Sequence, residues 1–147
     1  MRSNPVCRLV YNPTTSAPPG WYWVARAGDL KVGQYVLTRL PDEAARLADE
    51  RQYLPKSVRL LKRIAAVPEQ HVCLSGNQVF IDGRVAAVTL AHDRRGRNLD
   101  AWRQCRALKT GELFLLSDTN PGSFDSRYFG PIHVRSVIGQ AFPLWTW

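Results

Sequence analysis

Short runs of aromatic and β-branched residues, each closed off by glycine or proline, constrain this chain most. Trp21–Ala27 (WYWVARA) and Gln34–Leu40 (QYVLTRL) are two such runs, joined by the glycine-bounded connection GDLKVG. That pattern reads as strands separated by turns. Val58–Val67 (VRLLKRIAAV) is a further strand, followed by a turn and a restart at PEQHV. Gln78–Val88 (QVFIDGRVAAV) reads as a hairpin with Asp82-Gly83 at its tip, the residue pair that tight hairpin turns favour. Gly111–Asp118 (GELFLLSD) is strand-like and runs into the loop TNPGSFDSRYFGP. Val134–Trp145 closes the chain with one or two strands, and Ala91–Leu108 reads as a long loop with one helical turn.

Only Pro41–Gln52 (PDEAARLADERQ) has helical character. Proline opens it, acids occupy its first turn, and Ala44, Leu47, Ala48 and Arg51 recur at helical spacing. The expected fold class is therefore mostly β, an antiparallel barrel-like or folded sheet with a short inserted helix. A chain of 147 residues suits one domain, 1–147, which can bury a real core.

Charge narrows the partners. The net charge of +8 favours anionic surfaces, either nucleic acid or acidic lipid. The densest basic cluster is His92–Arg97 (HDRRGR), and it accompanies none of the common nucleic-acid-binding motifs. A solvated basic surface accounts for the charge, so nucleic acid is not the expected partner. Four of the 20 basic residues are lysines: Lys31, Lys56, Lys62 and Lys109. This matters because arginine stays protonated, whereas a desolvated lysine can act as a base.

The three cysteines, Cys7, Cys73 and Cys105, have no metal-binding spacing, and no metal or cofactor is implied. The sequence has no apolar run near the ~20 residues that span a bilayer.

Three stretches carry possible chemistry. In Asn12–Tyr22 (NPTTSAPPGWY) a hydroxyl cluster is bracketed by Pro13, Pro18 and Pro19, which restrict the backbone on both sides. Ser16 there is a candidate nucleophile, with Thr14 a second hydroxyl for an oxyanion. By itself the stretch also reads as an exposed turn. Lys62 interrupts the apolar run LLKRIA. Turned inward it would lose its charge readily and serve as a general base; turned outward it is one residue of an amphipathic strand. Ser117–Pro131 (SDTNPGSFDSRYFGP) offers Ser123 to orient an amine and Asp125 and Arg127 as a pair. It also reads as an ordinary polar loop with a weak surface ion pair.

In this order the three stretches resemble the serine–lysine signal peptidases, in particular the conjugative-transfer branch that matures pilin subunits. The Ser-x-Pro-x-Gly-x-Tyr stretch of that family is matched by Ser16-Ala17-Pro18-Pro19-Gly20-Trp21-Tyr22. Its Lys-Arg pair in an apolar strand is matched by Lys62-Arg63, and its last box by Ser123–Pro131 (SFDSRYFGP). Ala17 stands where general signal peptidases carry methionine, and Ser117-Asp118-Thr119 replaces Gly-Asp-Asn.

The resemblance implies that Ser16 attacks the scissile carbonyl and Lys62 takes its proton. It implies Ser123 as the residue that orients the lysine, Thr14 as an oxyanion partner, and Asp118, Asp125 and Arg127 as supports. The implied substrate is a signal peptide or pro-pilin with small residues before the cut, docked as an added strand. The implied place is the periplasmic face of the inner membrane, with the membrane surface as a partner. Residues 1–11 are then expected to follow a membrane anchor that this chain lacks. An oxidising compartment would permit a Cys73–Cys105 disulfide. The competing expectations are a self-cleaving Ser–Lys repressor-type protease, a basic β-barrel that binds nucleic acid through Trp21, Tyr22 and Trp23, and a catalytically silent scaffold.

Overall fold

A computed structural model of the chain describes residues 8–53, 59–117 and 119–147. It contains eleven strands: β1 (Arg8–Asn12), β2 (Gly20–Ala25), β3 (Tyr35–Thr38), β4 (Leu60–Ala66), β5 (His71–Ser75), β6 (Gln78–Ile81), β7 (Arg84–Val88), β8 (Cys105–Ala107), β9 (Glu112–Leu116), β10 (Ile132–His133) and β11 (Val137–Thr146). Among the described residues two short α-helices, α1 (Asp42–Glu50) and α2 (Ser126–Phe129), and a 3₁₀ turn at Val134–Ser136 interrupt them.

The strands form a seven-stranded sheet, ordered β1-β2-β11-β3-β4-β9-β10, and a four-stranded sheet, ordered β7-β6-β5-β8. Every registered pair is antiparallel. The mostly β, antiparallel character and the short inserted helix agree with the sequence. The barrel does not: among the described residues neither sheet closes on itself, and β1 and β10 are the ends of the larger one.

Local sequence explains most elements. Asp82 (φ 48°) and Gly83 (φ 81°) both take the left-handed backbone that a tight hairpin between β6 and β7 requires. Pro41 stands at the N-cap position of α1 without a side-chain bond, Asp42 and Glu43 sit in its first turn, and Ala44 and Ala48, one helical turn apart, are buried. No described helix is long and apolar enough to cross a membrane.

Two segments differ from expectation. Arg8–Asn12 has too short an apolar run to show a period, yet it pairs with β2 in register Leu9↔Trp23 and Tyr11↔Trp21. The segment 91–108 contains no helical turn. Asp93 accepts hydrogen bonds from the backbone N–H of Arg95 and Arg97, both at 2.9 Å, and Gly96 takes φ 75°, which closes a turn instead. Its last residues add β8 to the smaller sheet.

Among the described residues the core falls into three clusters, one of which joins the two sheets. Ala65, Ala66, Val72, Phe114 and Leu116 fill the space beneath the smaller sheet. Val36, Ile64, Leu113, Leu115 and Ile132 pack around β9, and Tyr22, Val24, Leu37, Leu61 and Ala141 pack beside the loop after β1. Strand β4 belongs to all three clusters and is buried along nearly its whole length.

Candidate active site

Ser16 lies on the loop between β1 and β2, and that loop is held from inside. Ala17 is fully buried against Tyr22 and Val24. The Tyr22 hydroxyl donates to the Pro18 carbonyl at 2.5 Å. The Asn12 side chain, also buried, accepts from the Thr14 N–H (3.1 Å) and hydroxyl (2.7 Å) and donates to the Thr14 and Ala17 carbonyls, both at 3.3 Å. Prolines limit the loop's conformations, and these contacts select one. Gly20 ends it with φ 140°. A Cβ there would meet the Trp145 carbonyl oxygen at 2.1 Å, so the motif's glycine permits the close approach of β11.

Lys62 points inward. Its side chain is 1% exposed, in the middle of β4. Burial lowers its pKa to about 8, against the opposing pull of Asp125 and with help from Arg127. At pH 7 roughly a tenth of such an amine is neutral, against well under a thousandth for free lysine. The ammonium donates a hydrogen bond to Ser123 Oγ. Ser123 Oγ in turn lies 3.1 Å from Ser16 Oγ. The three side chains form a chain from amine to hydroxyl to hydroxyl, with Ser123 in the middle.

Asp125 and Arg127 form a pair that is buried, at 0% and 3% exposure, and not a surface ion pair. The guanidinium donates to Asp125 Oδ1 and Oδ2, both at 2.8 Å, and to the carbonyls of Val88 (3.0 Å), Pro121 (2.9 Å) and Ser123 (3.0 Å). All five of its donors are therefore used. Asp125 Oδ2 also accepts from the Ser117 N–H at 3.1 Å. This network fixes the backbone on either side of Ser123.

The remaining candidates fall as follows. The Thr14 hydroxyl donates a hydrogen bond to Asn12 Oδ1 and braces the loop. Cys73 and Cys105 face each other on β5 and β8 and are joined by a disulfide, Cα–Cα 3.9 Å. Asp118 and Cys7 lie outside the described residues. Trp21 and Trp23 are on the outer face of the larger sheet, while Tyr22 between them is buried.

Asn12 was not singled out from the sequence. An Asn-Pro-Thr stretch before a turn is its signal, since asparagine commonly bonds the backbone two residues on. Thr15, Thr119 and Asn120 also meet here: Asn120 Nδ2 donates to Thr15 Oγ1 at 3.0 Å.

This chain matches the family model described as "Signal peptidase, peptidase S26" over residues 3–147. It is 30% identical over 147 aligned residues to a plasmid transfer protein TraF of Escherichia coli, covering 92% of this chain and 82% of that protein. Signal peptidase I V of Bacillus subtilis is 24% identical over 90 residues, 54% of each chain. A crystal structure of a signal peptidase I from Enterococcus faecalis superposes with a TM-score of 0.45 at 19% identity, covering 77% of this chain and 97% of that one.

Proposed function

The chain belongs to the signal peptidase family, peptidase S26, and from that premise we propose that it is a Ser/Lys endopeptidase that matures pilin subunits for conjugative plasmid transfer. Family membership makes it a serine peptidase acting on protein. The plasmid-transfer context comes from the TraF relatives. In this reading residues 1–147 act as one catalytic domain.

The observation that carries the assignment is the buried Lys62 amine, hydrogen-bonded to Ser123 Oγ 3.1 Å from Ser16 Oγ. Ser16 Oγ bonds to the scissile carbonyl carbon, and its proton passes to the neutral Lys62 amine, by way of Ser123 in the arrangement seen here. The carbonyl electron pair moves onto oxygen. The Ser16 N–H and the Thr14 hydroxyl, turned from Asn12, receive that oxyanion. The tetrahedral species collapses, the C–N bond breaks, and the Lys62 ammonium returns the proton to the leaving nitrogen. A water then attacks the acyl-enzyme and restores Ser16. An amine of the same pilin chain could replace that water and close a ring.

The substrate docks by strand addition. Among the described residues the outer edge of β1 has no strand partner, and Leu60–Lys62 lie beyond the β4–β9 register, which begins at Arg63↔Leu116. A depression of about 400 Å³ lined by Val10, Tyr11, Leu37 and Arg59 lies between these edges.

The membrane surface is a partner in this reading, with the site on the periplasmic face of the inner membrane. Its support is an aromatic face. Leu9, Trp23 and Phe142 form one cross-strand row, and Tyr11, Trp21 and Trp145 the next. All six are exposed. Such rings suit the headgroup layer, and the +8 charge suits anionic lipid.

The test is cleavage of a pro-pilin substrate by the wild type, Ser16→Ala and Lys62→Ala. Both variants should be folded and inactive. Wild-type rates in Lys62→Ala would reassign the base.

A further inference from the structure

Two loops carry the reacting hydroxyls, and each is anchored separately. The Ser16 loop is held by Asn12 and Ala17, and the Ser123 loop by Arg127. Neither anchor joins one loop to the other. Among the described residues, three hydrogen bonds do. One is the Ser16–Ser123 contact itself. The other two converge on Thr15, whose carbonyl accepts from Thr119 Oγ1 at 2.5 Å and whose Oγ1 accepts from Asn120 Nδ2 at 3.0 Å.

We infer that Thr15 and Asn120 are positioning residues, a cross-loop clasp that sets the approach of the Ser16 and Ser123 hydroxyls. The inference rests on the catalytic assignment above. Thr15 is the immediate neighbour of Ser16, so a clasp there acts on the nucleophile directly.

Asn120 is built to be rigid. Its N–H donates to Ser117 Oγ at 3.0 Å, its Oδ1 accepts from the Gly122 N–H at 2.9 Å, and its carbonyl accepts from the Ser123 N–H at 3.1 Å. With those groups committed, its Nδ2 is aimed at Thr15. The same residue thus touches the backbone of Ser123 on one side and the neighbour of Ser16 on the other.

Both clasp bonds are exposed to solvent. An exposed hydrogen bond adds little to global stability. Its leverage is geometric, because a misplacement of about 1 Å between reacting groups can cost about 100-fold in rate. Loss of the clasp therefore lowers kcat while leaving the groove that binds substrate, and the core, untouched.

The test is steady-state kinetics on a fluorogenic peptide with an Ala-x-Ala cleavage site, using Thr15→Val, Asn120→Ala, the double variant and Thr15→Ser. Thr15→Val and Asn120→Ala should each lower kcat about tenfold with KM within about twofold, and the double variant should be no worse than either alone. Thr15→Ser, which keeps the hydroxyl, should restore the rate. Thermal midpoints should stay within about 2 °C of wild type. A stable Thr15→Val with wild-type kcat, losses that multiply in the double variant, or losses that follow the thermal midpoint would each overturn the clasp. Ser16→Ala separates the two readings. If it remains active, the catalytic assignment fails; if it is dead while Thr15→Val is fully active, only the clasp fails.

Discussion

Lys62 and Ser123, 61 positions apart in the chain, share a buried hydrogen bond from Nζ to Oγ. Neither residue is brought to the other by its own neighbours in sequence. The amine is desolvated by the packing around β4, and the hydroxyl is presented by the Arg127 network from another loop.

Desolvation of Lys62 has two opposite consequences. The pKa is pushed down to about 8, so kcat/KM should rise about tenfold per pH unit below 8 and level off above it. Stability follows a different course. The folded chain binds this proton less tightly than the unfolded chain, so Lys62 costs stability at neutral pH. That cost is relieved as pH rises from about 8 toward the ordinary lysine value of 10.5. Lys62→Met should be inactive yet more stable at pH 7, by on the order of 3 kcal/mol at most. Denaturant titration and a pH–rate profile measure the two together; a less stable Lys62→Met would contradict the buried-charge account.

Arg127→Lys removes a planar fork that serves five acceptors. Lysine has three donors on a single atom and cannot span them. We expect a loss of roughly 3–5 kcal/mol in urea, as for other broken buried pairs, and loss of cleavage because Ser123 is released.

Asn12→Leu keeps volume but deletes the side-chain bonds that Asn12 makes to Thr14 and Ala17 of the Ser16 loop. Two buried or half-buried carbonyls and one N–H then lose their partner. The expected cost is about 1–3 kcal/mol, with kcat falling further than KM rises. Unchanged kinetics would mean that the prolines alone suffice to hold the loop.

The outer face of β1, β2 and β11 can be tested apart from catalysis. Trp21→Ser with Trp145→Ser should abolish flotation with vesicles containing anionic lipid while leaving cleavage of a soluble peptide near wild type. Flotation that survives this change but disappears at high salt would assign binding to charge alone.

Thiol labelling reports on Cys73 and Cys105. Without reductant, the denatured chain should take up one label, at Cys7; after reduction it should take up three. Three labels without reductant would rule out the disulfide between β5 and β8.

Much of this site was legible in the chain itself. The Ser16 stretch, the Lys62-Arg63 pair and the Ser123–Pro131 box each carry a local signal, because proline, glycine and an interrupted apolar run act through neighbouring residues. Asp82-Gly83 and α1 were legible for the same reason. Strand β1 and the turn at Asp93 were not, since the first is stabilised by pairing with β2 and the second by side-chain bonds that cancel a helical pattern.

By itself, then, the sequence determined a β-rich chain punctuated at definite points, and it marked which residues are candidates for chemistry. Tertiary structure alone decided that Lys62 faces inward, that Ser123 stands between it and Ser16, and that Asp125 and Arg127 pair away from water. The reason is physical. Strand β4 is buried along nearly its whole length, on both faces. Whether an amine on it loses water, and with it a proton, depends on what packs against it from elsewhere in the chain.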